Sequence, residues 1–356
     1  MNLNDYKQIL KETILNEYPI YYISKIIKSL EKNNLIFNDK RKNNKKKLPD
    51  ISNISDKRKK LDSLFNKLDC LIKEIEDFEY TRAYRYCAIF KINKLDNKNI
   101  IKKLNSISAI NMYKKVDNFN DILSPFAINP TCKYDDNIIY FKFNFELNDK
   151  ENKKIKYPVL AVIHRKLSIL EIRLDTVSFK YKDSENFYKD KIRSVKAWFS
   201  SILNLNLTNI DFQAVIKYMK DYKDKDVSIV ALKMRRDGMM AYLDSSSNEY
   251  LMIPILGELK NFMKDKDNLF NSNKETKSLQ EELNNFIYEI EETSDLPSVK
   301  ILWDDRKIRL LATHGYKEED YTLFKYSDEL GDEEKMMYVT KYFVQCEREL
   351  TKKMYT

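Results

Sequence analysis

A carboxylate two residues before a basic side chain on one strand is the core of many metal-dependent nuclease sites, where acidic oxygens hold Mg²⁺ and the cation steadies the phosphate. Among the triplets with that spacing, Glu171-Ile172-Arg173 and Glu258-Leu259-Lys260 come closest to such a site. The first lies in a strand-like run but carries arginine where lysine belongs, and the second stands near the start of a helix-like run. In a chain with 33% charged residues such triplets arise by chance, so Glu171, with Asp175 close by, is only a weak candidate for catalysis. Mg²⁺ enters with that nuclease or phosphodiesterase reading alone; otherwise the sequence implies neither cofactor nor metal.

Most other site chemistry lacks its raw material. The 4 glycines, Gly238, Gly257, Gly315 and Gly331, stand too far apart for a phosphate-cradling loop, a dinucleotide fingerprint or a nucleophile elbow. The 2 histidines, His164 and His314, cannot form a motif that needs neighbouring imidazoles. Cys70, Cys87, Cys132 and Cys346 include no close pair, which predicts reduced, mostly buried thiols in a reducing compartment. No apolar run approaches the roughly 18 residues of a membrane span, and the expected location is cytoplasmic.

Binding chemistry is better supplied. The net charge of +9 conceals a cluster: residues 39–60 hold ten basic side chains against Asp39, Asp50 and Asp56, and the rest of the chain carries only +2. Lys40, Arg41, Lys42, Lys45, Lys46, Lys47 and Arg58 are the expected phosphate contacts, with Lys57, Lys59 and Lys60 completing the run. A lysine-rich codon bias explains the number of lysines but not their clustering. A second set, Lys189, Arg193 and Lys196, forms a ridge at helical spacing beside an apolar stripe of Tyr188, Ile192, Val195, Phe199 and Ile202, with Trp198 off the stripe.

A third set sits at hairpin ends: His164, Arg165 and Lys166; Lys233, Arg235 and Arg236; Arg306, Lys307 and Arg309. Arg235 and Arg236 are counted among the nucleic-acid contacts, although exposed strand ends also carry charge simply to block edge pairing. Tyr80, Arg82, Tyr84 and Tyr86 recur at every second position and would share one face, for stacking bases or for the core. The opposite pole is residues 279–334, with sixteen acidic against six basic side chains, a surface suited to a protein partner.

The elements that must carry these groups follow from periodicity. Residues 3–33 read as two helices with a turn at Pro19, and a third helix should start after Ser55 or Asp56 and carry Leu61, Leu64, Leu68, Leu71 and Ile75. Residues 84–91 alternate like a strand, and residues 139–147 alternate most cleanly, as a half-buried strand would. Hairpins are expected over 157–177, 227–244 with an Asp237-Gly238 turn, and 299–313; helices over 186–205, 211–222, 255–268, 276–292 and 332–353.

The predicted class is α+β: an N-terminal three-helix unit, then a mainly antiparallel sheet built from hairpins with interspersed helices. The expected domains are 1–78, helical with the basic loop; 79–270, a central α+β domain; and 271–356, an acidic α+β region. The expected function is a non-catalytic nucleic-acid-binding subunit of an intracellular multi-protein complex, taking DNA or RNA, with a phage-defence or mobile-element setting as one context. The alternatives are the metal-dependent nuclease and a protein-interaction scaffold that binds no nucleic acid.

Overall fold

The computed structural model describes the chain except residues 1–2, 40–46, 98, 116–122, 237–238, 245–255, 294, 328–332 and 355–356, and gives the backbone alone at 115, 234–236, 239–244, 256–258, 288–293, 295–296 and 354. The fold is α+β, helices first and then strands with interspersed helices. The chain forms two compact units, Met1–Ile210 with Gly331–Met337, and Asp211–Leu330 with Tyr338–Thr356. The breaks expected near 78 and 270 do not coincide with this division.

The first unit opens with α1 (Leu3–Glu12), a π-helical turn (Thr13–Glu17) and α2 (Ile20–Lys32), separated at Pro19 as the sequence predicts. The expected third helix is two, α3 (Lys57–Leu64) and α4 (Leu71–Thr81). Asn66 and Asp69 lie between them, and such side chains compete for backbone hydrogen bonds and favour turns. There follow β1 (Tyr86–Asn93), α5 (Ile100–Ser106), β2 (Asn111–Met112), β3 (Leu123–Ser124), β4 (Thr131–Tyr134), β5 (Ile138–Asn148), β6 (Lys154–His164), β7 (Ile169–Leu174), α6 (Phe187–Ile202) and β8 (Asn206–Asn209). The strands pair in the order β8-β1-β7-β6-β5-β4-β2, antiparallel except that β2 runs parallel to β4 and β3 parallel to β5.

Strand β5 shows why this sheet is a central layer. Phe141 and Phe143 meet Trp198 and Phe199 of α6, while Lys142, pointing the other way, meets Glu76 and Glu79 of α4. Helices cover both faces, so the strand expected to be half-buried is buried on both, Lys142 included.

The second unit contains α7 (Phe212–Tyr222), β9 (Ser228–Arg236), β10 (Met239–Asp244), α8 (Leu256–Asp265), α9 (Asp267–Phe270), α10 (Lys274–Thr293), β11 (Asp295–Trp303), β12 (Ile308–Thr313), β13 (Leu323–Tyr326) and, from Tyr338 onward, α11 (Glu334–Met354). Its strands run antiparallel in the order β10-β9-β11-β12-β13. Phe212 of α7 packs on Phe324 of β13 and Phe343 of α11, which closes the core over the sheet. The three expected hairpins are present as β6–β7, β9–β10 and β11–β12; the Asp237-Gly238 turn lies outside the described residues.

Candidate nucleic-acid interface

The basic run between α2 and α3 is tied at its base. The Phe37 amide donates to the Pro49 carbonyl and the Ile51 amide to the Phe37 carbonyl, each at 2.9 Å, while Ile36 and Ile51 are buried beneath. Both ends of the segment are therefore fixed at one place. Lys40, Arg41, Lys42, Lys45 and Lys46 lie outside the described residues; Lys47 is exposed, with a left-handed backbone (φ 52).

Asp56 caps α3 as expected, its carboxylate accepting the Lys59 amide at 2.8 Å. Lys57, Arg58, Lys59 and Lys60 then fill the first turn, which holds no acidic residue. Cations are disfavoured at this end of a helix, where unpaired amides already present partial positive charge. Lys57 and Lys59 are exposed, and Lys60 donates to Asn38. Arg58 departs from the expected role: its guanidinium turns inward and donates to the carbonyls of Leu15 and Tyr18, filling acceptors left over at the end of the first helical segment. It joins α3 to the N-terminal helices and is spent on backbone.

On α6, Arg193 is exposed while Lys189 and Lys196 are half-buried, and the Lys196 ammonium lies 4.3 Å from the centre of the Phe90 ring. Trp198 is core, buried against Phe141 and Phe143. Tyr80, Arg82 and Tyr84 are also core. Tyr80 belongs to α4, and the Arg82 guanidinium is ringed by Tyr18, Tyr22 and Tyr84 and paired with Asp175. Among the hairpin ends, Arg165 donates to the Asp136 and Asn97 carbonyls, and Arg306 stacks on Tyr338 at 3.9 Å. The backbones of Arg235 and Arg236 lie in β9; their side chains are outside the described residues.

The carboxylates of the nuclease reading are engaged elsewhere. Glu171 is fully buried, takes both oxygens to Arg173 at 3.0 Å and accepts a third hydrogen bond from His164. Burial pushes its pKa up, but the Arg173 charge and the bonds from His164 and Arg173 outweigh that and hold it at about 2. Arg173 continues to Glu333, which also accepts from Tyr140. Asp175 is taken by Arg82, and the Glu258 side chain lies outside the described residues. Among the described residues no group of three or more His, Cys, Asp and Glu side chains is placed to hold a metal ion.

Two features escaped the sequence reading. One is a fully buried ionic cluster: Lys142 and Lys156 each bind both Glu76 and Glu79, which also accept from Tyr6 and Tyr18 respectively. Lysines at inward positions of apolar strands were its only trace. The other is an open groove of about 900 Å³ between the β5–β6 turn and the 3₁₀ turn Phe179–Tyr181. Phe179 stands in it 84% exposed, with Lys150, Lys153, Lys180 and Lys182 along its walls, interleaved with Asp149, Glu151, Asp183 and Glu185. The alternation Phe179-Lys180-Tyr181-Lys182 was its visible signal.

No family model matches the chain, and neither does any curated protein.

Proposed function

We propose that the chain is a non-catalytic nucleic-acid-binding subunit of a larger assembly. The segment 39–60 grips phosphates, Arg193 and its neighbours on α6 add contacts, and the acid-rich residues 279–334 take a protein partner. One observation supports this most: exposed Lys57 and Lys59 stand on the positive end of α3, beside a lysine-rich segment whose two ends are tied together. Gathering cations there raises the local energy of the free protein, and a polyanion relieves it through both the side-chain charges and the helix terminus. The nuclease alternative gains nothing comparable, because Glu171 and Asp175 are held by arginines.

Fluorescence anisotropy with labelled DNA and RNA oligonucleotides at low salt tests the proposal. Wild type is expected to bind, and Lys47→Glu/Lys57→Glu/Lys59→Glu to bind at least ten-fold more weakly with its fold intact. Binding by neither nucleic acid, or equal binding by the variant, refutes it. Incubation with plasmid and RNA in Mg²⁺ should leave both uncut, and cleavage lost in Glu171→Ala would favour the nuclease instead.

A further inference from the structure

We infer that the groove at Phe179 is a subsite for an unpaired nucleobase, and that the nucleic acid this chain takes is single-stranded there; the inference rests on the binding function proposed above. An aromatic ring left 84% exposed is costly in water and has no packing role to account for it, since the core residue of the same turn is Tyr181, 4% exposed. A ring so presented offers a flat face, and every base has a face to match.

The surroundings suit a strand more than an isolated ring. Lys180 and Lys182 flank the turn, the first 4.7 Å from the centre of the Tyr181 ring and the second 4.9 Å from that of Tyr188 on α6. Tyr188 immediately precedes Lys189 on α6. The acidic side chains of the groove are partly engaged within the protein. Asp149 accepts the amides of Glu151 and Lys153 at 2.9 Å and lies 4.0 Å from the Lys180 ammonium, Glu151 pairs with Lys153 at 3.0 Å, and Asp183 favours the charged form of buried Lys191. Cations spaced beside an exposed ring are the arrangement in which a backbone is tracked by charge while a base stacks. A duplex keeps its bases stacked on one another and offers no such face without being opened.

The test compares a labelled oligothymidylate with a duplex of the same length. Because Phe179 is exposed, Phe179→Ala should keep the melting temperature of wild type. It is expected to weaken single-strand binding five-fold or more, roughly the loss of one stacked base, and to leave duplex affinity unchanged. Phe179→Trp should retain single-strand affinity and show fluorescence quenching with oligothymidylate but not with duplex. Wild-type binding that Phe179→Ala leaves intact, or weakens equally for both ligands, overturns the subsite and spares the general binding function. Failure of wild type to bind either ligand overturns both.

Discussion

His314 is buried in the second unit, with Nδ1 bonded to the Thr322 hydroxyl at 2.8 Å, and burial lowers its pKa to about 4. A histidine whose folded pKa lies below its unfolded value stabilises the fold while both states are neutral and loses that contribution as pH falls from about 6.5 to about 4. Chemical denaturation should show roughly 2–3 kcal/mol lost across that window, and His314→Asn should flatten it. A profile that the substitution leaves unchanged would place the titrating group elsewhere. Glu79 and Glu171, each held near 2, act below that range: their contribution is complete above about 4.5 and disappears as pH falls toward 2. At this scale the sequence disclosed which side chains were charged but not where the charge was spent. Arg58 read as a phosphate contact because its neighbours are lysines; that the backbone carbonyls of Leu15 and Tyr18, some 40 residues away, claim its guanidinium is a tertiary fact with no local signal.

The N-terminal helices and the sheet of the first unit are joined through charge as well as apolar packing. Glu76 and Glu79 stand one helical turn apart on α4, and Lys142 of β5 and Lys156 of β6 reach both. Burial alone would push the Glu79 carboxyl up; the two ammonium groups outweigh it and hold it near 2. Lys142→Met leaves two carboxylates facing one cation out of water and should cost about 3–5 kcal/mol in urea unfolding. Lys142→Met combined with Glu79→Leu should recover much of that loss; a single variant as stable as wild type would mean that the cluster is hydrated. Most elements were legible because their periods are clean: the turn at Pro19, the Asp56 cap, the hairpins and α6 all lie where apolar spacing puts them. The misreadings have two causes. The interruption between α3 and α4 falls at Asn66 and Asp69, which apolar spacing alone passes over. The double-sided burial of β5 arises because a second layer covers what a single segment leaves open, and alternation of Phe141, Phe143 and Phe145 with Lys142 and Asn144 looks the same whether water or α4 lies opposite.

Across the whole molecule, positive charge concentrates at residues 39–60 in the first unit, and most of the acidic stretch 279–334 belongs to the second. The α+β class followed from the order of helical and strand periods, whereas the division after Ile210 did not, since α7 and β8 join without any change in composition to mark it. Nor was the alternation Phe179-Lys180-Tyr181-Lys182 enough by itself to mark the groove as a site, because exposure of one ring depends on what the turn leaves uncovered. If lysines of the basic segment displace counterions from a nucleic acid, the logarithm of the affinity must fall linearly with the logarithm of salt concentration, with a slope of about −0.9 per duplex phosphate contacted and about −0.7 on single strands. That slope, measured for wild type and for Lys57→Ala/Lys59→Ala, reports whether these lysines hold phosphates. Wild type should give a steep line and the variant a line shallower by between one and two units. A flat line, or two parallel lines of equal slope, would contradict that role.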